Sequence, residues 1–275
     1  MVKVPFKYIG SKSKYLKDLL DVFPNKINAD KFVDVFGGCA VVVMNVDYNL
    51  RVYNDIDCRL VNFFRVARDM PDELIRVLSL TPYSRYEYKL SYEISDDSLE
   101  DARRVFSHYQ QSLYGGANSK TWASRFETKM KSGSDVFYEK RNSIQDICSA
   151  LKGINIECLD FEKVIEMYDG ERTVVYLDPP YVKSTISGRH YKNEMNDNDH
   201  VRLHRIISSA RSMCIVSGYP SELYSDLYKS WNMICFRNRK SSVGRQSGVK
   251  KRAEKPEVVW TNFAPRQSML NMMVA

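Results

Sequence analysis

Three short apolar segments, each followed by a helical pattern, constrain the fold more than any other feature of this sequence. The segments span residues 32–36, 51–53 and 173–177 and end at small, acidic or amide residues. Helical patterns follow the first two at residues 40–46 and 58–67. Strands that alternate with helices are joined by right-handed βαβ crossovers, which build a parallel sheet covered on both faces. The sequence therefore predicts an α/β fold.

Later segments extend the same sheet. Residues 213–217 predict another buried strand, and a helix over residues 203–211 precedes it. Two more strand candidates, residues 232–236 and 257–263, lie on either side of a strongly basic segment. The 275 residues, 44% of them hydrophobic, suit one large domain with an insertion and exclude wholesale disorder.

The pattern changes between the second and third of these strands. Residues 100–113 are the clearest helix there, and residues 114–141 are polar, aromatic and irregular. We therefore predict a discontinuous α/β domain built from residues 1–69 and 152–275. Residues 70–151 are expected to form a separate, mostly helical inserted lobe.

Several classes of protein are disfavoured by the composition. No segment approaches the roughly 18 consecutive apolar residues of a membrane span, and no signal-peptide pattern is found. The six scattered cysteines form no Cys-x-x-Cys pair, so we expect free thiols in a reducing cytoplasm. His200 and His204 share a helix face, but Val201 stands where a zinc protease has Glu, so we expect no metal.

The net charge of +7 is concentrated in one segment. Residues 237–252 carry seven basic side chains and no acidic one, and the other 34 basic residues equal the 34 acidic residues of the chain. This basic segment joins the last two predicted strands. A local concentration of Lys and Arg is typical of phosphate binding, and the alternative is a solvated loop without a partner.

The ends of the first two strands suggest a nucleotide-like ligand. Gly37 and Gly38 permit close approach of the backbone to a ligand, and Asp55, one βα unit later, suits ribose hydroxyls. The full Gly-x-Gly-x-x-Gly is absent, which disfavours a pyrophosphate cofactor such as NAD. The alternative is a tight turn that only begins a helix.

Asp178-Pro179-Pro180-Tyr181, directly after the third strand, is more specific. The prolines fix φ near −65° and donate no backbone hydrogen bond, so they hold the Asp178 carboxylate and a backbone carbonyl rigidly. Two fixed acceptors suit a neutral amine with two N–H donors, and Tyr181 offers a face on which a planar ring can stack. The alternative is a rigid turn that ends the strand.

Together these segments resemble the Dam-like DNA adenine-N6 methyltransferases of the alpha group. The matching segments are Lys7-Tyr8-Ile9-Gly10-Ser11-Lys12, residues 32–38, Asn54-Asp55, Asp178-Pro179-Pro180-Tyr181, residues 191–195, Asp199-His200, Ser217-Gly218-Tyr219 and Trp260-Thr261-Asn262. They cover nearly the whole chain apart from most of the insert. The resemblance implies a Rossmann-like, S-adenosylmethionine-dependent methyltransferase sheet, with the insert as its target-recognition lobe.

The resemblance also implies roles for individual residues. The S-adenosyl-L-methionine site would comprise Tyr8, Lys12, Asp34, Phe36, Gly38, Asp55, Ile56, Asp160, Phe161 and Asp178. Aromatic faces such as those of Tyr8 and Phe161 also suit a purine or a sulfonium cation. Tyr8 stands where many members have Trp, and Asp34-Val35 replaces the commoner Glu-Pro.

The implied reaction is methyl transfer to the exocyclic amine of an adenine flipped out of double-stranded DNA. Asp178 and the Pro179 carbonyl would accept hydrogen bonds from the amine, Pro180 would complete the rigid turn, and Tyr181 would stack on the base. DNA contacts are expected from two groups of residues. They are Tyr114, Asn118, Lys120, Trp122 and Arg125 in the insert, and Arg245, Lys250, Lys251 and Arg252 in the basic segment.

The implied partners are double-stranded DNA and S-adenosylmethionine, with no membrane or metal. The resemblance implies a monomer or weak dimer in the cytoplasm of a bacterial or phage-infected cell.

Other readings remain open at this point. The alternatives are methylation of the cytosine amine or of RNA, a catalytically silent DNA-binding homologue, and a nicotinamide dehydrogenase. The chain has no Pro-Cys dipeptide, which weighs against a covalent cytosine-carbon methyltransferase.

Overall fold

The computed structural model describes residues 1–113, 115–123, 132–185, 192–236 and 256–265. Within these ranges seven strands form one sheet in the order β3-β2-β1-β4-β5-β7-β6. The strands are β1 Lys31–Asp34, β2 Leu50–Asn54, β3 Ile154–Glu157, β4 Thr173–Leu177, β5 Met213–Gly218, β6 Asn232–Cys235 and β7 Val258–Thr261. The first five are parallel, and β7 is antiparallel to both β5 and β6. The predicted α/β, Rossmann-like fold is confirmed.

Helices connect these strands and cover both faces of the sheet. They are α1 Leu16–Val22, α2 Cys58–Asp69, α3 Pro71–Leu80, α4 Arg85–Leu90, α5 Ser98–Gln111, α6 Gly133–Asn142, α7 Ile144–Leu151, α8 Phe161–Tyr168, α9 Asp197–Ser209 and α10 Glu222–Leu227. The α9 helix begins six residues before the predicted start at residue 203. Its start is fixed by a capping box, in which the side chains of Asn196 and Asp199 each accept a hydrogen bond from the other's backbone N–H.

Alternation along the strands divides the apolar side chains between two layers. In β1, Phe32 joins one hydrophobic cluster and Val33 joins the other, because successive strand residues point to opposite faces. The same alternation separates Tyr176 from Val175 in β4. The strands are therefore buried on both sides, as expected for a parallel sheet.

The predicted insert packs directly on the domain that it interrupts. Leu74, Phe106 and Ile147, from α3, α5 and α7, belong to the same hydrophobic cluster as Phe32 and Tyr176 of the sheet. The helices of residues 70–151 therefore help to cover one face of the sheet. The domain boundaries at residues 70 and 151 stay a prediction.

Two local predictions are wrong. Residues 41–45 form turns and residues 40–46 contain no helix, and the φ of 57° at Ala40 is incompatible with a right-handed helix at that residue. The Asn45 amide there binds the Val2 backbone and also the Val41 carbonyl. The segment predicted as irregular contains α6, whose start is held by a capping box between Ser132 and Asp135.

Among the residues that the structure describes, no helix is both long and apolar enough to cross a membrane.

Candidate active site

The order of the strands reverses between β1 and β4, and three carboxylates lie at this edge of the sheet. Asp34 is the last residue of β1, Asp55 follows β2, and Asp178 follows β4. In open α/β sheets, ligands bind at such a switch point, outside the carboxyl ends of the strands. The topology therefore places these three predicted site residues where a ligand is expected.

A cleft opens at this switch point, and most of the predicted cofactor residues line it. These are Tyr8, Lys12, Asp34, Phe36, Gly38, Asp55, Ile56 and Asp178, together with Pro180 of the predicted catalytic turn. Tyr109 and Ala117 of the insert complete the wall. The segment at residues 7–12 is held against the insert, because the Ile9 N–H donates to the Gly115 carbonyl at 3.1 Å.

The turn after β1 requires both of its glycines. A Cβ atom at residue 37 would lie 2.3 Å from the Tyr53 ring, which leaves no room for a larger residue. Gly38 has a φ of +48°, and a Cβ atom there would lie 2.9 Å from the Tyr8 ring. The two glycines therefore allow the turn to approach the aromatic wall of the cleft.

Asp55 holds this turn in place. Its Oδ2 accepts a hydrogen bond from the Gly38 N–H at 2.9 Å, and its Oδ1 accepts one from the Asp57 N–H at 2.8 Å. Burial raises the pKa of Asp55 to about 6, against these two hydrogen bonds, which lower it. Each carboxylate oxygen has a second lone pair, so Asp55 can still accept a hydrogen bond from a ligand hydroxyl.

Asp34 is a buried carboxyl at the bottom of the cleft. Its residue is 1% exposed, and its Oδ1 has no hydrogen-bond partner in the described parts of the chain. Burial, and then the nearby Asp178 charge, raise the pKa of Asp34 well above its usual value. A buried acceptor of this kind is stabilised by a cationic or N–H-bearing group of a ligand.

Asp178 is paired with Lys12. The Lys12 Nζ atom lies 2.7 and 2.6 Å from the two carboxylate oxygens and also donates to the Tyr181 hydroxyl at 2.7 Å. Burial raises the pKa of Asp178 to about 6, although the Lys12 cation acts to lower it. The Asp178 side chain is 16% exposed and lines the cleft. Its carboxylate is therefore accessible to a ligand, ionised near neutral pH and oriented by the Lys12 cation.

Comparison with known proteins agrees with this geometry. The family model for D12 class N6 adenine-specific DNA methyltransferases matches residues 8–242, which contain the cleft and the Asp178 turn. The chain belongs to this family. Membership confirms the predicted adenine-specific DNA methyltransferase and disfavours the nicotinamide dehydrogenase.

Individual relatives agree with the family match. The chain is 28% identical over 282 residues to "Type II methyltransferase M1.LlaDCHI" of Lactococcus lactis subsp. cremoris, covering 94% of this chain and 95% of that protein. It is 25% identical over 262 residues to "Type II methyltransferase M.MjaIII" of Methanocaldococcus jannaschii, covering 84% and 90%. The "DNA adenine methylase" of Haemophilus influenzae is 24% identical over 187 residues, covering 64% of this chain and 63% of that protein.

Four predicted residues of this D12 methyltransferase lie outside the wall of the cleft. Asp160 caps α8 and pairs with Arg202 at 3.0 Å, and the Arg202 guanidinium covers the Phe161 ring at 4.1 Å. Pro179 and Tyr181 do not line the cleft either, although the Tyr181 hydroxyl contacts Lys12 behind it. The cofactor contacts of Asp160 and Phe161, and the roles of Pro179 and Tyr181, therefore stay predictions.

The structure also identifies residues of this methyltransferase site that sequence reasoning missed. Tyr109 lines the cleft beside Tyr8, with ring centroids 5.3 Å apart. Lys192 lines it too and pairs with Asp57 at 2.8 Å. Glu257 lies behind the site and accepts a hydrogen bond from the Tyr181 hydroxyl. Lys192 lies within a segment that resembles the family, but no motif in the sequence distinguished Tyr109 or Glu257.

The predicted DNA-binding residues are only partly described. Asn118 and Lys120 follow Ala117 of the cleft wall, and both are exposed. Trp122 is half-buried, with the Arg85 guanidinium 4.8 Å from its ring centroid and its Nε1 donating to Gln111. Six predicted residues lie outside the described ones: Tyr114, Arg125, Arg245, Lys250, Lys251 and Arg252.

Two described residues on either side of the basic segment of this methyltransferase, Phe236 and Glu257, lie on the cleft side of the sheet. The β6 strand is parallel to the first five strands, because both β5 and β6 are antiparallel to β7. Its carboxyl end is therefore on the cleft side of the sheet, where the Phe236 N–H donates to the Glu257 carbonyl.

In the part of the chain that the structure describes, no group of three His, Cys, Asp or Glu side chains could hold a metal ion.

Proposed function

We propose that this enzyme transfers a methyl group from S-adenosyl-L-methionine to the N6 amine of an adenine extruded from double-stranded DNA. The observation that carries the proposal is the position of Asp178, an ionisable acceptor on a rigid Pro-Pro turn at the switch point of the sheet.

The residues of the cleft fit S-adenosylmethionine. The unsatisfied Oδ1 of Asp34 suits its cationic amino group, and the rings of Tyr8, Phe36 and Tyr109 suit its purine and its sulfonium. Asp55 retains lone pairs for ribose hydroxyls. When bound, the cofactor supplies an electrophilic methyl group on a positively charged sulfur.

The acceptor amine is expected to bind at Asp178. An amine N–H can donate to the lone pairs of the carboxylate that Lys12 does not use, since each oxygen carries two. This hydrogen bond would orient the nitrogen lone pair toward the methyl group. The new bond between nitrogen and carbon would form as the bond between that carbon and sulfur breaks, which would leave a neutral thioether, and the nitrogen would release one proton to solvent. Catalysis then consists mainly of positioning and electrostatics.

The base must leave the duplex to reach this site. An adenine amine inside the helix is inaccessible to Asp178, and extrusion costs a few kcal/mol. We assign the stacking of the extruded ring to Tyr181, whose own ring packs edge-to-face on Tyr219 at 4.6 Å. The basic segment, Asn118 and Lys120 are assigned to DNA contacts, which hold the duplex in register.

The proposal is tested by Asp178→Ala, with Asp47→Ala as a control. Asp47 is 87% exposed and pairs only with Lys26 among the described contacts. Transfer of labelled methyl groups to double-stranded DNA is measured, together with cofactor binding by calorimetry. We expect Asp178→Ala to abolish transfer while largely retaining cofactor binding, and the control to keep both. Full transfer by Asp178→Ala, or absence of cofactor binding by the unaltered protein, would contradict the proposal.

A further inference from the structure

Glu257 is a buried carboxylate directly before β7, behind the candidate active site. Its residue is 3% exposed, and it does not line the cleft. It accepts hydrogen bonds from the Tyr181 hydroxyl at 3.0 and 3.2 Å and from the Ser217 hydroxyl at 2.9 Å. Its Oε1 lies 3.5 Å from Lys12 Nζ. A buried charge with this many partners is part of an organised network.

The hydrogen bonds of this network have a fixed direction. A tyrosine hydroxyl carries one proton, and a lysine ammonium can only donate. Tyr181 accepts from Lys12 at 2.7 Å, so its own proton is directed to Glu257. The chain runs from Lys12 through Tyr181 to Glu257, while Lys12 also donates to Asp178. Glu257 is therefore connected to Asp178 through both Tyr181 and Lys12.

We propose that Glu257 is a positioning residue for methyl transfer, which holds Lys12 and Tyr181 in the arrangement that presents Asp178 to the acceptor amine. This inference rests on the proposed function. Glu257 competes with Asp178 for the Lys12 cation, which leaves the Asp178 carboxylate a better acceptor for a neutral amine. It also fixes the hydroxyl of Tyr181, the residue assigned to stacking on the extruded base.

The alternative is that Glu257 only anchors the start of β7. The methylation step separates the two cases, because an anchor alone changes stability, whereas a positioning residue also changes the rate of the folded enzyme and its dependence on pH. Lys12 is the cation beside Asp178, and Asp34 and Glu257 are the neighbouring acids. Burial raises the pKa values of the three nearby tyrosines, which therefore stay neutral: Tyr176, Tyr219 and Tyr224. The Glu257 charge raises the pKa of Asp178.

The test uses Glu257→Gln, which keeps the size of the side chain and removes its charge. Asp101→Asn is the matched control, because Asp101 is 4% exposed, pairs with Arg59 of α2 and does not line the cleft. Single-turnover methylation is measured against pH at saturating cofactor, with cofactor KM and thermal unfolding. The Asp178 carboxyl is also titrated by carbon NMR.

For Glu257→Gln we expect the rate at neutral pH to fall about 10- to 100-fold, because the neutral amide is a weaker acceptor for the Tyr181 hydroxyl and offers no charge to Lys12. The cofactor KM should stay unchanged. The acidic limb of the rate profile and the titration of Asp178 should both move to lower pH. Asp101→Asn should reduce the unfolding temperature without moving either profile.

Tyr181→Phe provides the second variant. If Glu257 acts through the Tyr181 hydroxyl, the double variant with both Glu257→Gln and Tyr181→Phe should methylate almost as fast as the slower of the two single variants. If the wild type is active and Glu257→Gln has the same methylation rate and the same Asp178 titration, the inference is overturned. It is also overturned if Asp101→Asn loses as much methylation rate as Glu257→Gln. A wild type that binds cofactor but does not methylate adenine, while the titration still shifts, contradicts the proposed function and retains the network.

Discussion

Gly38→Ala is the substitution whose effect follows most directly from the geometry of the site. Gly38 has a φ of +48°, in the left-handed region that costs an L-residue about 1–2 kcal/mol. The new Cβ would lie 2.9 Å from the Tyr8 ring, so the ring must move out of its present position. Overpacking of this kind costs about 1–3 kcal/mol. Because Tyr8 lines the cleft, the cofactor can bind against its present wall only if the ring returns to this position, so the second cost falls on cofactor binding.

Gly153→Ala is a matched control for the backbone cost. Gly153 has a φ of +78° and is exposed, and a Cβ there would lie 3.9 Å from its nearest neighbour, Arg51 Nη2. The control therefore carries the left-handed penalty without displacing an aromatic ring. It lies directly before β3, at the amino end of that strand and away from the switch-point cleft.

The assay combines urea unfolding with calorimetric titration of S-adenosylmethionine. Both variants should lose about 1–2 kcal/mol of unfolding free energy from the backbone alone. Only Gly38→Ala should also lose cofactor affinity, by about tenfold or more, since about 1.4 kcal/mol corresponds to one factor of ten. Equal cofactor affinity in both variants would refute the assignment of the Gly38–Tyr8 contact to the cofactor site.

Three further predictions follow from the site. The methylation rate at saturating cofactor should fall about tenfold per pH unit below about 6, because burial raises the pKa of Asp178 to about 6 and protonation removes the negative charge that makes it a strong acceptor. A flat rate between about pH 7 and 5 would contradict this. Lys192→Met should weaken cofactor binding by less than about fivefold in calorimetry, because the Lys192 side chain is half-exposed where it pairs with Asp57. DNA binding should depend less on salt when four basic residues are neutralised together: Arg245, Lys250, Lys251 and Arg252. On a plot of log affinity against log salt concentration, the slope should become shallower by about 0.9 for each phosphate that is no longer neutralised. Cofactor affinity should be unchanged.

The sequence predicts the sheet well because its signals are local. The run at residues 173–177 is wholly apolar or β-branched and corresponds to β4, and the boundaries of α2 agree within two residues. The helix predicted at residues 40–46 is absent for a physical reason. The run of apolar residues fits a helical pattern, but the Asn45 side chain donates to the Val41 carbonyl, which would accept a backbone N–H in a helix.

The site is predictable where residues follow strand ends and unpredictable where interactions are long-range. Asp34, Asp55 and Asp178 could be grouped because parallel strands end at one edge. Glu257 lies 76 residues from Tyr181 in sequence, and its burial depends on the antiparallel placement of β7. No local pattern distinguishes it from an ordinary charged residue before a strand.

One short segment connects the two halves of the proposed reaction. Residues 7–12 supply Tyr8 to the cofactor wall and Lys12 to the acceptor. The insert holds this segment closely, because the Lys7 N–H donates to Gln110 and a Cβ at Gly115 would lie 2.6 Å from the Lys7 backbone. A substitution in this part of the insert can therefore displace Lys12 without touching DNA. Loss of methylation after such a change is evidence for a DNA contact only when cofactor affinity and the acidic limb of the rate profile are unchanged.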